Sequence, residues 1–210
     1  MSSSIESDNP LLHSRALRLE YATIAWNVGE AFLTIALGWI AGSVALIGFG
    51  TVSVVEVFAS TVVVWHLRRS DHGDHPAVTG TALRLIAAAF LLLSLALFVV
   101  AVSNLVSGRR AGASPLGIGY LAVTALVMFG LAAAKRGTAA VLGSEPMASE
   151  ATVTLLDGIL SVSTLVGLAL NAYVGWWWAD PVAGMLVAIA AVHEAGETLA
   201  EARSISAGEL

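Results

Sequence analysis

Six apolar tracts that read as bilayer-crossing helices constrain this chain more than any other feature. A helix rising about 1.5 Å per residue needs roughly 20 apolar residues to cover the hydrocarbon core. The tracts run Leu19–Ile40, Ser43–Leu67, Ala82–Val106, Leu116–Ala134, Ala151–Tyr173 and Asp180–Val192, the last continuing as helix towards Ala202. Lipid offers no partner to backbone polar groups, so such tracts are helices. The expected fold is an all-α membrane protein, a six-transmembrane-helix bundle. A polar tail over residues 1–16 precedes a membrane domain over 17–202, and a short tail fills 203–210. Gly42–Ser43 reads as a tight turn, and Arg68–Thr81 and Lys135–Ser149 read as longer polar loops.

Composition agrees. Hydrophobic residues are 57% and charged residues 12%, with mean hydropathy +0.83; a soluble domain carries about twice that charge. A net charge of -5 leaves no nucleic-acid footprint. The absence of cysteine removes disulfides and thiolate metal sites. No catalytic triad, phosphate loop or dinucleotide fingerprint is present, so no enzyme and no cofactor are expected. The stretch Met1–Pro10 is polar and acidic, unlike a cleavable signal peptide. Of the ten Lys and Arg residues, all but Arg109 and Arg110 fall on one side of the six spans. The positive-inside rule then places both termini in the cytoplasm. Trp176, Trp177 and Trp178 fall at the opposite interface, where indole rings anchor.

Ionisable groups at bilayer depth are costly, roughly 2.5–3.5 kcal/mol on insertion scales, and mark function by default. Glu30, Glu56 and Asp157 stand well inside spans, and Glu150 lies near the inner end of the fifth. Each has polar company on one helical face. Thr23, Asn27, Glu30 and Thr34 recur at helical spacing in the first span, as do Ser53, Glu56 and Ser60 in the second. Glu150, Thr154, Asp157, Ser161 and Thr164 do the same in the fifth. Turning these stripes inward predicts an acidic cavity among the first, second and fifth helices, with no intramembrane Lys or Arg to neutralise it. Such acids must be protonated, face water or bind a cation. Carboxylate oxygens suit hard or borderline divalent cations, and carboxylates in a partly dry site suit proton exchange. Ser and Thr in membrane helices also serve plain packing, and a single buried acid can be a structural hydrogen-bond partner.

Three short segments carry a resemblance. Gly42-Ser-Val-Ala-Leu-Ile47 resembles a signature of the cation diffusion facilitator family. Ser144–Ala151 looks like the entry to that family's fifth helix, and Gly175–Pro181 like its turn into the sixth. The resemblance implies a six-helix cation-efflux bundle that moves a divalent cation, proton-coupled, as a homodimer in a bacterial plasma membrane. Leu19-Glu20-Tyr21, Trp26-Asn27 and Gly48-Phe49-Gly50 resemble a shorter bacterial branch with no C-terminal soluble domain, and none is expected here. The family's metal ligands fall on Val52 and Glu56 in the second helix, and on Val153 and Asp157 in the fifth. The second ligand of each pair is kept in kind and the first is valine. A further family aspartate is replaced by Phe49, with Glu150 as its counterpart on the fifth helix.

A tetrahedral zinc site cannot be built from those four positions alone. Glu30 and Asn27 could add oxygens, and Thr154 or Ser53 hydroxyls; that set suits manganese or magnesium over zinc. The candidate ligands are therefore Glu56, Asp157, Glu30, Asn27, Thr154 and Glu150, with Glu30 as helper or proton carrier. The alternative is a membrane interaction protein that keeps the fold and has lost the metal. Two other clusters have bland readings. Asp71, His72, Asp74 and His75 fit a solvated loop, with peripheral metal loading as the alternative. His193 and Glu197 fit an exposed helix end. Gly48 and Gly50 fit close helix packing.

Overall fold

The computed structural model describes residues 10–41, 44–70, 76–108 and 115–207. They form α1 (Pro10–Ala41), α2 (Val44–Ser70), α3 (Pro76–Ser107), α4 (Pro115–Leu142), α5 (Glu145–Val174) and α6 (Ala179–Ala207). The six-helix count matches the six tracts, and among the described residues there is no strand. Among the described residues, five helices are long and apolar enough to cross a membrane. α1, 32 residues long, carries the polar stripe already noted. The protein is a multi-pass integral membrane protein. The Gly42–Ser43 turn, Arg109 and Arg110, and the Asp71–His75 cluster lie outside the described residues.

Helices extend past the apolar tracts at several ends. α4 continues through Lys135 and Arg136 to Leu142, so the long polar loop expected from Lys135 onward is mostly helix. Pro146, early in α5, suits a first helical turn because its missing N–H would have no partner there. The bundle is built from three broad antiparallel pairs: α1 with α2, α4 with α5, and α3 with α6. α1 and α2 then pack against α4 and α5 respectively, which closes a four-helix inner group. The α3–α6 pair flanks it through α2 and α5.

The α1–α2 pairing is close enough to need glycine. A Cβ on Gly50 would stand 2.6 Å from Thr34 Oγ1 and 3.2 Å from the Ala31 carbonyl oxygen. Small residues let membrane helices approach in this way. Lipid-facing positions are large and apolar, among them Phe32, Leu92, Leu126 and Ile189. The polar side chains are the buried ones: Glu20, Asn27, Glu30, Glu56, Lys135, Glu150 and Asp157 are at most 3% exposed. That inversion relative to a soluble protein follows from lipid being unable to solvate them.

Candidate functional site

The buried polar groups stack in three levels along the inner four helices. At the end nearest the chain termini, Lys135 of α4 reaches across to α1 and α5. Its Nζ donates to Glu150 Oε1 and Oε2 at 2.8 and 2.7 Å and to Thr154 Oγ1 at 3.2 Å. It also pairs with Glu20 Oε2 at 3.1 Å. Ser60 of α2 donates to Glu150 Oε1 at 2.7 Å, so four helices meet at this level. Lys135, Glu20 and Glu150 are fully buried.

At the other end, Glu30 of α1 is the acceptor for three hydroxyls. Tyr120 donates to its Oε1 at 2.5 Å, Thr124 to the same oxygen at 3.4 Å, and Ser53 to Oε2 at 3.1 Å. The donors come from α4 and α2, so this level also ties three helices together. The Thr34 hydroxyl donates back to the Glu30 carbonyl at 2.7 Å, bonding within α1.

Between them lie Glu56 of α2 and Asp157 of α5. Both are 1% exposed, and none of their four carboxylate oxygens has a hydrogen-bond partner of good geometry. They face each other electrostatically, with Glu30 as the next negative group. The Thr154 hydroxyl is near Glu56, although its own bonding is directed to Glu150 at 3.4 Å. Buried carboxylates of native proteins are normally paired or hydrogen-bonded, because an unpartnered buried charge is strongly unfavourable. Two such groups on facing helices therefore call for a proton, water or a cation between them.

The structure sorts the six candidate ligands. Glu56 and Asp157 come together without partners. Glu30 sits one level away, satisfied by hydroxyls. Asn27 is buried on the same face of α1; its Nδ2 donates to the Thr23 carbonyl at 3.1 Å, and its Oδ1 has no partner. Glu150 and Thr154 belong instead to the lysine network. Two expectations need correction. An intramembrane cation exists, since Lys135 is buried in α4. And the polar interior is not confined to α1, α2 and α5, because α4 supplies Tyr120, Thr124 and Lys135. Val52 and Val153 are buried in one apolar cluster, at 2% and 1% exposure.

Sequence reasoning missed Glu20, Lys135 and Tyr120 as interior groups. Glu20 extends the α1 stripe by one step, three residues before Thr23, at the same helical spacing. On α4, Tyr120, Thr124, Met128, Lys135 and Thr138 follow one face, and the last four are at most 2% exposed or fully buried. A window that stops an apolar tract at its first basic residue hides that face. Outside the core, His193 and Glu197 pair at 3.3 Å on an exposed turn of α6, as a solvated helix end would. His66 is buried beside Thr79, 3.1 Å away. Among the described residues, no three His, Asp or Glu side chains form a metal-holding group.

Comparison with family models gives one match, the cation efflux transmembrane domain, over residues 21–205. No curated protein matches the chain.

Proposed function

The chain belongs to the cation efflux family, whose members transport metal cations, and we propose that it exchanges a divalent cation for protons through Glu56 and Asp157. The observation that carries this reading is the pair of buried carboxylates with no hydrogen-bond partners, on facing helices near the middle of the bundle. Two carboxylates bring enough charge for one divalent ion. Asn27 Oδ1, also unpartnered, and water are the neutral oxygens that would complete an oxygen-rich shell, which suits manganese or magnesium better than zinc. When the ion leaves, protons are the natural replacement, because two bare carboxylates side by side in a dry site repel each other. Glu30, bound by three hydroxyls, is the next group to which a proton can pass. Rocking of the α1–α2 and α4–α5 pairs would open the site to one side and then the other, as in transporters with a fixed central site. A homodimer is the assembly this reading expects.

The test is proton flux in proteoliposomes. A manganese gradient should drive counter-movement of protons with the unaltered protein and none with Glu56→Gln or Asp157→Asn. Equal flux with and without metal would favour the rival reading, a membrane interaction protein that has kept the fold. Activity lost through His193→Ala but retained in both acid variants would place the site elsewhere.

A further inference from the structure

The Glu20–Glu150 level has the make-up of a cation site and already holds a cation. Two carboxylates from α1 and α5 flank one ammonium, and hydroxyls of Ser60 and Thr154 complete the surroundings. All five groups are buried, at 0% exposure. The ammonium arrives on a flexible four-carbon stem from α4, a helix distinct from those that carry the carboxylates. Glu20 pairs with the ammonium and has the Ser60 hydroxyl nearby, but neither of its oxygens is in a hydrogen bond of good geometry. A purely structural ion pair would gain from full hydrogen bonding; a carboxylate held mainly by charge is free to exchange its partner.

We infer that Glu20 and Glu150 form a second cation site, occupied in this conformation by the Lys135 ammonium as a tethered counter-ion. The site lies two helical turns along α5 from Asp157, about 10 Å by helix rise. It therefore stands at the end of the pathway nearest the termini, in line with the Glu56–Asp157 pair. The inference rests on the reading of that pair as a transport site only for its role, not for its existence. An ion approaching from the terminal side meets the ammonium and must exchange with it. The freed ammonium has Glu56 as its next acidic neighbour, within electrostatic reach. In the resting protein the lysine keeps a metal ion from being trapped at this level. It also holds α1, α4 and α5 together there.

Manganese binding to the purified full chain, counted by electron paramagnetic resonance, is the experiment. The unaltered protein should bind one ion, and Lys135→Ala one more. The additional ion should vanish when Glu20→Gln and Glu150→Gln are added to Lys135→Ala. Should Lys135→Ala fold only poorly without metal, its thermal unfolding supplies a second readout. Manganese should then raise its midpoint far more than that of the fully neutral Lys135→Met, Glu20→Gln, Glu150→Gln variant. Equal binding by the unaltered protein and Lys135→Ala, or equal stabilisation of Lys135→Ala and the neutral variant, overturns the inference. A protein that binds no manganese while Lys135→Ala binds one would uphold this site and remove the proposed one at Glu56 and Asp157.

Discussion

Val52 and Val153 each sit one turn before an unpartnered acid, at i and i+4, and both are buried. Side chains so spaced are neighbours on one helical face. Branched apolar groups there remove coordinating atoms from the sides of Glu56 and Asp157 where a four-ligand site would have them. Restoring ligands should restore the ion that prefers them. Val52→Asp with Val153→His is expected to raise zinc affinity at least about tenfold, roughly 1.4 kcal/mol, by titration calorimetry in one detergent. Unchanged affinity would mean that α2 and α5 do not present these positions to a shared site. The acids themselves were legible in the sequence, because carboxylates in apolar tracts have few bland explanations. Lys135 was not, because a basic residue at the end of an apolar run is usually an interfacial anchor. Only the three-dimensional arrangement shows that its ammonium turns inward to Glu20 and Glu150.

At the scale of elements, α4 is the helix whose role changed most. Its apolar tract identified it as a span, yet its polar residues looked scattered. They are spaced so that Tyr120 and Thr124 serve Glu30 while Lys135, about four turns on, serves Glu150. Removing one partner of a buried ion pair leaves the other charge uncompensated, at a cost of about 3–5 kcal/mol. Lys135→Ala, which leaves Glu20 and Glu150 both without a counter-charge, should therefore lower the thermal midpoint markedly. Glu197→Ala, which breaks an exposed pair worth at most about 1 kcal/mol, should leave it almost unchanged. Equal loss in both would show that the Lys135 pair is not held dry. The α5–α6 contact offers a packing test. A Cβ on Gly167 would lie 2.8 Å from the Asp180 Cα and 3.0 Å from its nitrogen. Backbone atoms cannot move aside as a side chain can, so Gly167→Ala should destabilise by about 1–3 kcal/mol, read from the same unfolding curves. Gly137→Ala, with open space around it, is the control that should not.

For the whole molecule, the six spans and their order were readable from hydropathy alone, since length and apolar content are what a bilayer selects. Which helices touch was not, because every span satisfies the same requirement. The pairing of α3 with α6, and the exclusion of both from the polar interior, emerges only from packing. The distribution of basic residues carries the expectation that the side holding the start of α1 and the end of α6 is the cytoplasm. The chain has no cysteine, so a single Cys introduced near either end should be labelled from the cytoplasmic side by an impermeant maleimide, and one placed at Tyr173 from the other. The central claim, however, concerns charge at mid-bundle. Among the described residues there are five buried carboxylates and one buried ammonium, and two of the five have neither a hydrogen bond nor an ion pair. The direct measurement is a titration of the purified protein with manganese, magnesium and zinc, repeated with Glu56→Gln and with Asp157→Asn. Saturable binding that prefers manganese or magnesium, and that is lost in either variant while folding is retained, is the predicted result. Binding that survives both substitutions, or no binding of any divalent ion to the unaltered protein, would contradict it.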